Sequence, residues 1–117
     1  MKTRVVRIDP AAPDAALVRE AADVITRGGL IAFPTETVYG LGINASDERA
    51  IEWAYEIKAR GKDKPFTVHI ASRAVLSKYD VIVDERAEKL IEKFWPGPLT
   101  IILPLKKKKA PKIIAEP

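Results

Sequence analysis

The sequence predicts a single α/β domain built on a mixed sheet, and three observations lead there. Apolar stripes of helical period alternate along the chain with short extended runs that are wholly apolar or of period two. Several connections between those runs are too short to carry the helical crossover that a parallel strand pair needs, so the sheet is expected to be mixed. The 117 residues, 47% of them hydrophobic, are enough for one core and too few for two. No internal repeat interrupts the pattern.

Residues 3–8 read as a short strand, followed by a loop punctuated by Pro10 and Pro13. Asp14 is a candidate N-cap for a helix in which Leu17, Ala21, Val24 and Ile25 share a face, and Gly28-Gly29 supplies its C-terminal stop. Residues 30–33 form an apolar run between Gly29 and Pro34, as expected of a strand covered on both faces. Residues 35–44 have no helical period and carry Gly40 and Gly42, which predicts a loop at the carboxyl end of that strand, where open α/β sheets bind ligands.

A second helix is predicted over residues 47–59, with Ala50, Ile51, Ala54 and Ile57 on one face, stopped by Gly61. Phe66, Val68 and Ile70 alternate with Thr67 and His69, the signature of a strand with one apolar face and Thr67 and His69 on the other. A short helix at 72–78, a weak strand at 81–83 and a stronger helix at 84–94 follow, the last with Ala87, Leu90, Ile91 and Phe94 in register. Trp95-Pro96-Gly97-Pro98 ends it in a rigid turn, and residues 99–103 read as a final strand before an irregular basic tail over 105–117. That strand's outer edge is uncovered, which predicts an incomplete domain, a homodimer through the edge, or both.

Composition excludes several classes of function. With no cysteine there is no disulfide framework and no thiolate chemistry, and one histidine, His69, cannot make a zinc or iron site alone. Apolar stretches of about five residues fall far short of the roughly 20 that a bilayer span needs, and no signal-peptide block opens the chain, so no membrane association and a cytoplasmic location are expected. A charged content of 31% rich in Lys and Glu points to a heat-adapted source. The net charge of +4 is matched by the four lysines at 106–109, so the basic balance belongs to that run and not to the fold.

Two segments carry candidate chemistry. Neither common glycine-rich phosphate fingerprint is present, so nucleotide binding must rest on Lys58, Arg60, Lys62 and Lys64, four alternating cations at a helix end. In an extended chain they point the same way and form a clamp able to hold a polyphosphate; the plain alternative is a solvated basic turn that complements the helix dipole. In the second segment, residues 34–42, the hydroxyls of Thr35 and Thr37 can face one cavity, Tyr39 adds a stacking face, and the glycines let backbone approach a ligand closely. There the plain alternative is an ordinary loop whose threonines satisfy their own backbone.

Taken together, three stretches in order resemble the YrdC-like family, the threonylcarbamoyl-AMP synthases. They are Phe33-Pro34-Thr35-Glu36-Thr37-Val38-Tyr39-Gly40-Leu41-Gly42, then Lys58-Ala59-Arg60 with Lys64-Pro65-Phe66 and His69, then Phe94-Trp95-Pro96-Gly97-Pro98-Leu99-Thr100. The resemblance implies a twisted mixed sheet with flanking helices round a basic cavity, in which L-threonine, bicarbonate and ATP with Mg²⁺ yield threonylcarbamoyl-AMP and pyrophosphate. That product serves threonylcarbamoyladenosine modification of tRNA at adenosine 37. Carried over by motif, Thr37 and His69, with Thr35 less directly, would bind L-threonine, while Arg60 and Lys64, flanked by Lys58, would hold ATP. No protein nucleophile is implied. The chain departs from the family at Ala59, where glycine is usual, and at Gly61, where proline is usual. The family's later Ser-x-Asn motif does not occur among these residues, in keeping with an apparently truncated domain.

The resemblance also admits two other readings. One is an RNA-binding module that sets the basic cavity and the lysines at 106–109 against tRNA or double-stranded RNA phosphates, without catalysis. The other is a carbamoyltransferase-type domain of hydrogenase maturation, with carbamoyl phosphate as the carbamoyl source.

Overall fold

A computed structural model describes residues 2–106. Its elements run α1 (Ala15–Thr26), β1 (Ile31–Phe33), β2 (Gly40–Gly42), α2 (Glu48–Ile57), a 3-10 turn (Arg73–Lys78) and α3 (Glu85–Phe94). The chain divides into two compact units, one ending at Ala59 and the other beginning at Arg60.

In the first unit, α1 begins where expected because the Asp14 carboxylate accepts the N–H groups of Ala16 and Leu17, a cap that stabilises a helix by about 1 kcal/mol. It ends in a Schellman motif. Gly29 N–H donates to the Val24 carbonyl at 2.8 Å and Gly28 N–H to that of Ile25 at 3.0 Å, with Gly28 at φ 80°. Leu17, Ala21, Val24 and Ile25 are all half-buried, as the helical period requires. Helix α2 starts on Asp47 in the same manner and buries Ala50, Ile51, Ala54 and Tyr55. Tyr55 takes the place expected of Ile57, which stands at the last turn and is 51% exposed.

Strand β1 is present, yet β2 pairs with it antiparallel within the span predicted to be loop, in the register Ile31↔Gly42, Ala32↔Leu41, Phe33↔Gly40. The expectation of a strand covered on both faces fails, since Ala32 is exposed between half-buried Ile31 and Phe33. Residues 3–8 form no strand; Val5 is exposed, and the segment is tied to α1 by an ion pair between Arg4 and Glu20.

The second unit buries Ala87 and Ile91 of α3, whose start is capped by the Asp84 carboxylate on the Ala87 N–H at 2.8 Å. Leu90 and Phe94, placed in register with them by period, are exposed, and the Lys93 ammonium lies 5.3 Å from the centre of the Phe94 ring. The strands expected at 66–70 and 99–103 have no ladder among the described residues, although the alternation expected of 66–70 is kept. Phe66, Val68 and Ile70 are half-buried between exposed Thr67 and His69; Leu99, Ile101 and Leu103 are half-buried between exposed Thr100, Ile102 and Pro104. An isolated antiparallel bridge joins Val81 to Leu105, with Ile82 N–H donating to the Pro104 carbonyl at 2.7 Å. Periodicity reports which face a residue takes; pairing needs a partner strand. Of the basic tail, residues 107–117 lie outside the described residues, as therefore do three of the lysines at 106–109.

Candidate functional site

The segment Pro34 to Tyr39 is the connection of the β1/β2 hairpin, and its geometry is set by one hydroxyl. Thr35 donates to the Val38 carbonyl and accepts the Thr37 N–H at 3.3 Å, closing the turn through its own side chain. The Thr35 and Thr37 hydroxyl oxygens stand 3.5 Å apart, so the structure brings the two threonines together as their spacing anticipates. Their situations differ. Thr35 is half-buried with its proton committed to backbone, while Thr37, Val38 and Tyr39 are exposed at the tip, Tyr39 by 75%. Thr37 therefore holds its hydroxyl at the exposed tip, and Thr35 is the residue whose hydroxyl closes the turn.

Gly40 and Gly42 have a different role from the one the sequence points to. A Cβ on Gly40 would lie 3.0 Å from Cζ of Phe33, and one on Gly42 3.0 Å from Cε1 of the same ring. The two glycines share a face with Phe33 across the ladder, and their missing side chains make the space the ring occupies. Close approach is indeed why glycine stands there, but what approaches is Phe33. The sequence signal for this was a phenylalanine directly before a turn whose return strand carries glycines at i and i+2.

The cations at 58–64 are arranged as a turn and not as an extended clamp. Lys58 is the exposed C-cap of α2, its N–H donating to the Ala54 carbonyl at 3.1 Å. Ala59 follows at φ 45°, the left-handed conformation in which helices usually place glycine. Downstream, Lys64 N–H donates to the Gly61 carbonyl at 3.1 Å and closes a four-residue turn. Over that turn folds the Arg60 side chain. Its Nε donates to the Lys64 carbonyl at 2.9 Å and its Nη2 to the Pro65 carbonyl at 3.1 Å, with the Phe66 ring 5.5 Å from the guanidinium carbon. Arg60 and Lys64 are thus brought together; Lys62 and Lys64 are exposed on the turn, and His69 is exposed on the face it shares with Thr67. Phe66, read from sequence only as a strand residue, serves here as a floor for the guanidinium.

In the Trp95-Pro96-Gly97-Pro98 turn the indole N–H donates to the Leu99 carbonyl at 2.8 Å, which makes it the rigid closure expected. Two surface depressions are lined by other residues. One, of about 390 Å³, follows α2 past Glu48, Arg49, Glu52, Trp53 and Glu56; the other, of about 260 Å³, is bounded by Ile82, Leu90, Ile101 and Leu103. Three carboxylates and one guanidinium line the first, a net negative rim that does not favour an anion. The candidate donors, by contrast, are hydroxyls, ammonium groups, a guanidinium and an imidazole, a set that fits carboxylate and phosphate oxygens and does not fit a divalent cation. None of the described helices is long and apolar enough to cross a membrane.

Known proteins resemble this chain in sequence and in backbone. The sequence profile of the Sua5/YciO/YrdC family, described as telomere recombination, matches residues 23–117. The threonylcarbamoyl-AMP synthase of Pyrococcus abyssi is 50% identical over 97 residues, which cover 83% of this chain and 28% of that protein. That of Bacillus subtilis is 45% identical over 89 residues, covering 76% of this chain and 26% of the relative. A crystal structure of P. abyssi Sua5 complexed with L-threonine superposes with a TM-score of 0.79 at 46% identity, over 88% of this chain and 30% of that one. The chain thus spans less than a third of the length of these relatives. A match that runs over most of the chain, in sequence and in backbone, establishes that it belongs to the Sua5/YciO/YrdC family.

Proposed function

We propose that this chain is part of a threonylcarbamoyl-AMP synthase, in which the Thr35–Thr37 turn faces L-threonine and the Arg60–Lys64 turn faces the phosphates of ATP. The observation that carries the reading is the relative complexed with L-threonine, 46% identical and superposable over 88% of this chain. In the reaction, the threonine amine takes up the carbon of bicarbonate with loss of water and becomes a carbamate. A carbamate oxygen then attacks the α-phosphorus, the bond from that phosphorus to the bridging oxygen breaks, and pyrophosphate leaves. Carbamate and phosphate chemistry of this kind asks nothing of a protein nucleophile; it asks for alignment and for cations where charge accumulates.

The residues fit those demands. Thr37 offers an exposed hydroxyl on a turn already closed by Thr35, so little ordering cost remains when a ligand's polar group meets it. His69 supplies a second polar contact for L-threonine. Arg60, Lys64 and Lys58 supply positive charge for the phosphates, and the substrate is MgATP, whose phosphate oxygens hold the metal. The product serves modification of tRNA at adenosine 37, and the site works in the cytoplasm.

Isothermal titration of the intact protein with L-threonine and with MgATP tests this. Heat from both ligands is the expected result; binding of neither overturns the proposal, and competition by carbamoyl phosphate would transfer it to carbamoyl-group chemistry.

A further inference from the structure

Arg60 enters the proposed function as a cation for phosphate, yet the geometry gives it a second task. We infer that Arg60 is a positioning residue that acts through Lys64, latching residues 60–65 into the conformation that presents the Lys64 ammonium.

The guanidinium has two usable edges, and a bidentate partner normally takes one of them. Here Nε and Nη2, which lie along one edge, meet the carbonyls of Lys64 and Pro65 at 2.9 and 3.1 Å. Two consecutive carbonyls therefore occupy the place of the two oxygens of a carboxylate. The chain between is held by the Lys64 N–H bond to Gly61, and the guanidinium rests 5.5 Å from the Phe66 ring centre. Within that turn, a Cβ on Gly61 would meet the Asp63 carboxylate. The result is a turn of five residues between Gly61 and Pro65 clasped at its far end by the side chain that precedes it. A lysine keeps the charge at position 60 but lacks the planar fork, so it cannot span both carbonyls.

The inference rests on the proposed function for the identity of the ligand, but its first test requires none. Hydrogen exchange of the Lys64 amide, which donates to the Gly61 carbonyl, is expected to quicken about tenfold in the ligand-free intact protein in both Arg60→Lys and Arg60→Ala, with the α3 amides unchanged. Exchange at parent rates in Arg60→Lys overturns the latch. So does equal quickening in α3, which would mark a general loss of stability. The second test is a double-mutant cycle read in MgATP affinity. Lys64→Ala and Arg60→Lys are each expected to weaken binding, and the double variant to be little weaker than Lys64→Ala. Effects that multiply instead would show that the fork of Arg60 contributes independently of Lys64, beyond the charge that a lysine keeps, and overturn the inference. If the parent binds no MgATP while the exchange result holds, the proposed function falls and the latch stands.

Discussion

Arg73 grips Glu88 through two parallel hydrogen bonds, Nε to Oε1 and Nη2 to Oε2, each of 2.6 Å, and so ties the 3-10 turn to α3. The hydrogen bonds from Arg73, reinforced by its charge, hold the Glu88 carboxyl below its ordinary value of 4.5, and the same bonds push the Arg73 guanidinium up. Because the folded value of Glu88 is the lower one, the stabilisation is fully present above the unfolded pKa. It is lost as pH falls through the folded value. Thermal melts between about pH 6 and about pH 3 should show Glu88→Gln melting below the parent at the upper end and the gap closing in acid. A gap that does not change with pH would refute the coupling.

Ala59 stands at φ 45° at the end of α2, a conformation that costs a residue with a Cβ about 1 kcal/mol or more. Ala59→Gly is therefore expected to stabilise the intact protein by about 1 kcal/mol, read as a higher urea midpoint at constant slope.

Phe33 and the two glycines opposite it make a directional prediction. Gly40→Ala should destabilise by about 1–3 kcal/mol because the new methyl meets the ring. In a Phe33→Leu background the same substitution should cost measurably less, and a cycle of denaturant melts reads the coupling. Strict additivity would show that the ring is not what the glycines accommodate.

Thr35 tests the difference between presenting a ligand group and contacting it. Thr35→Val removes the hydroxyl that closes the turn and is expected to weaken L-threonine binding about fivefold, the worth of roughly one net hydrogen bond. Thr35→Ser, which keeps the hydroxyl, should restore it. Titration calorimetry on the three proteins decides the matter.

Local chemistry made much of this molecule legible. Asp14 announced a helix start because a short carboxylate can reach the first free N–H groups without help from the rest of the chain, and the structure shows Asp47 and Asp84 capping two more helices in the same way. Gly28-Gly29 announced a stop for the same reason. Family membership was legible in the ordered motifs, and so was the pairing of Thr35 with Thr37, since both hydroxyls belong to one short turn.

By itself, then, the sequence determined the helices, the α/β class, the family and which side of residues 66–70 faces inward. Only the tertiary structure decided what those runs pair with and what the glycines and cations touch. It made a hairpin of β1 and β2, left residues 66–70 and 99–103 alternating without a ladder among the described residues, set Phe33 against Gly40 and Gly42, and folded Arg60 back over its own turn. The physical reason is the range of the interactions. Caps and periods act over three or four residues, whereas a ladder, a ring packed on a facing strand and a guanidinium on distant carbonyls depend on where the chain returns.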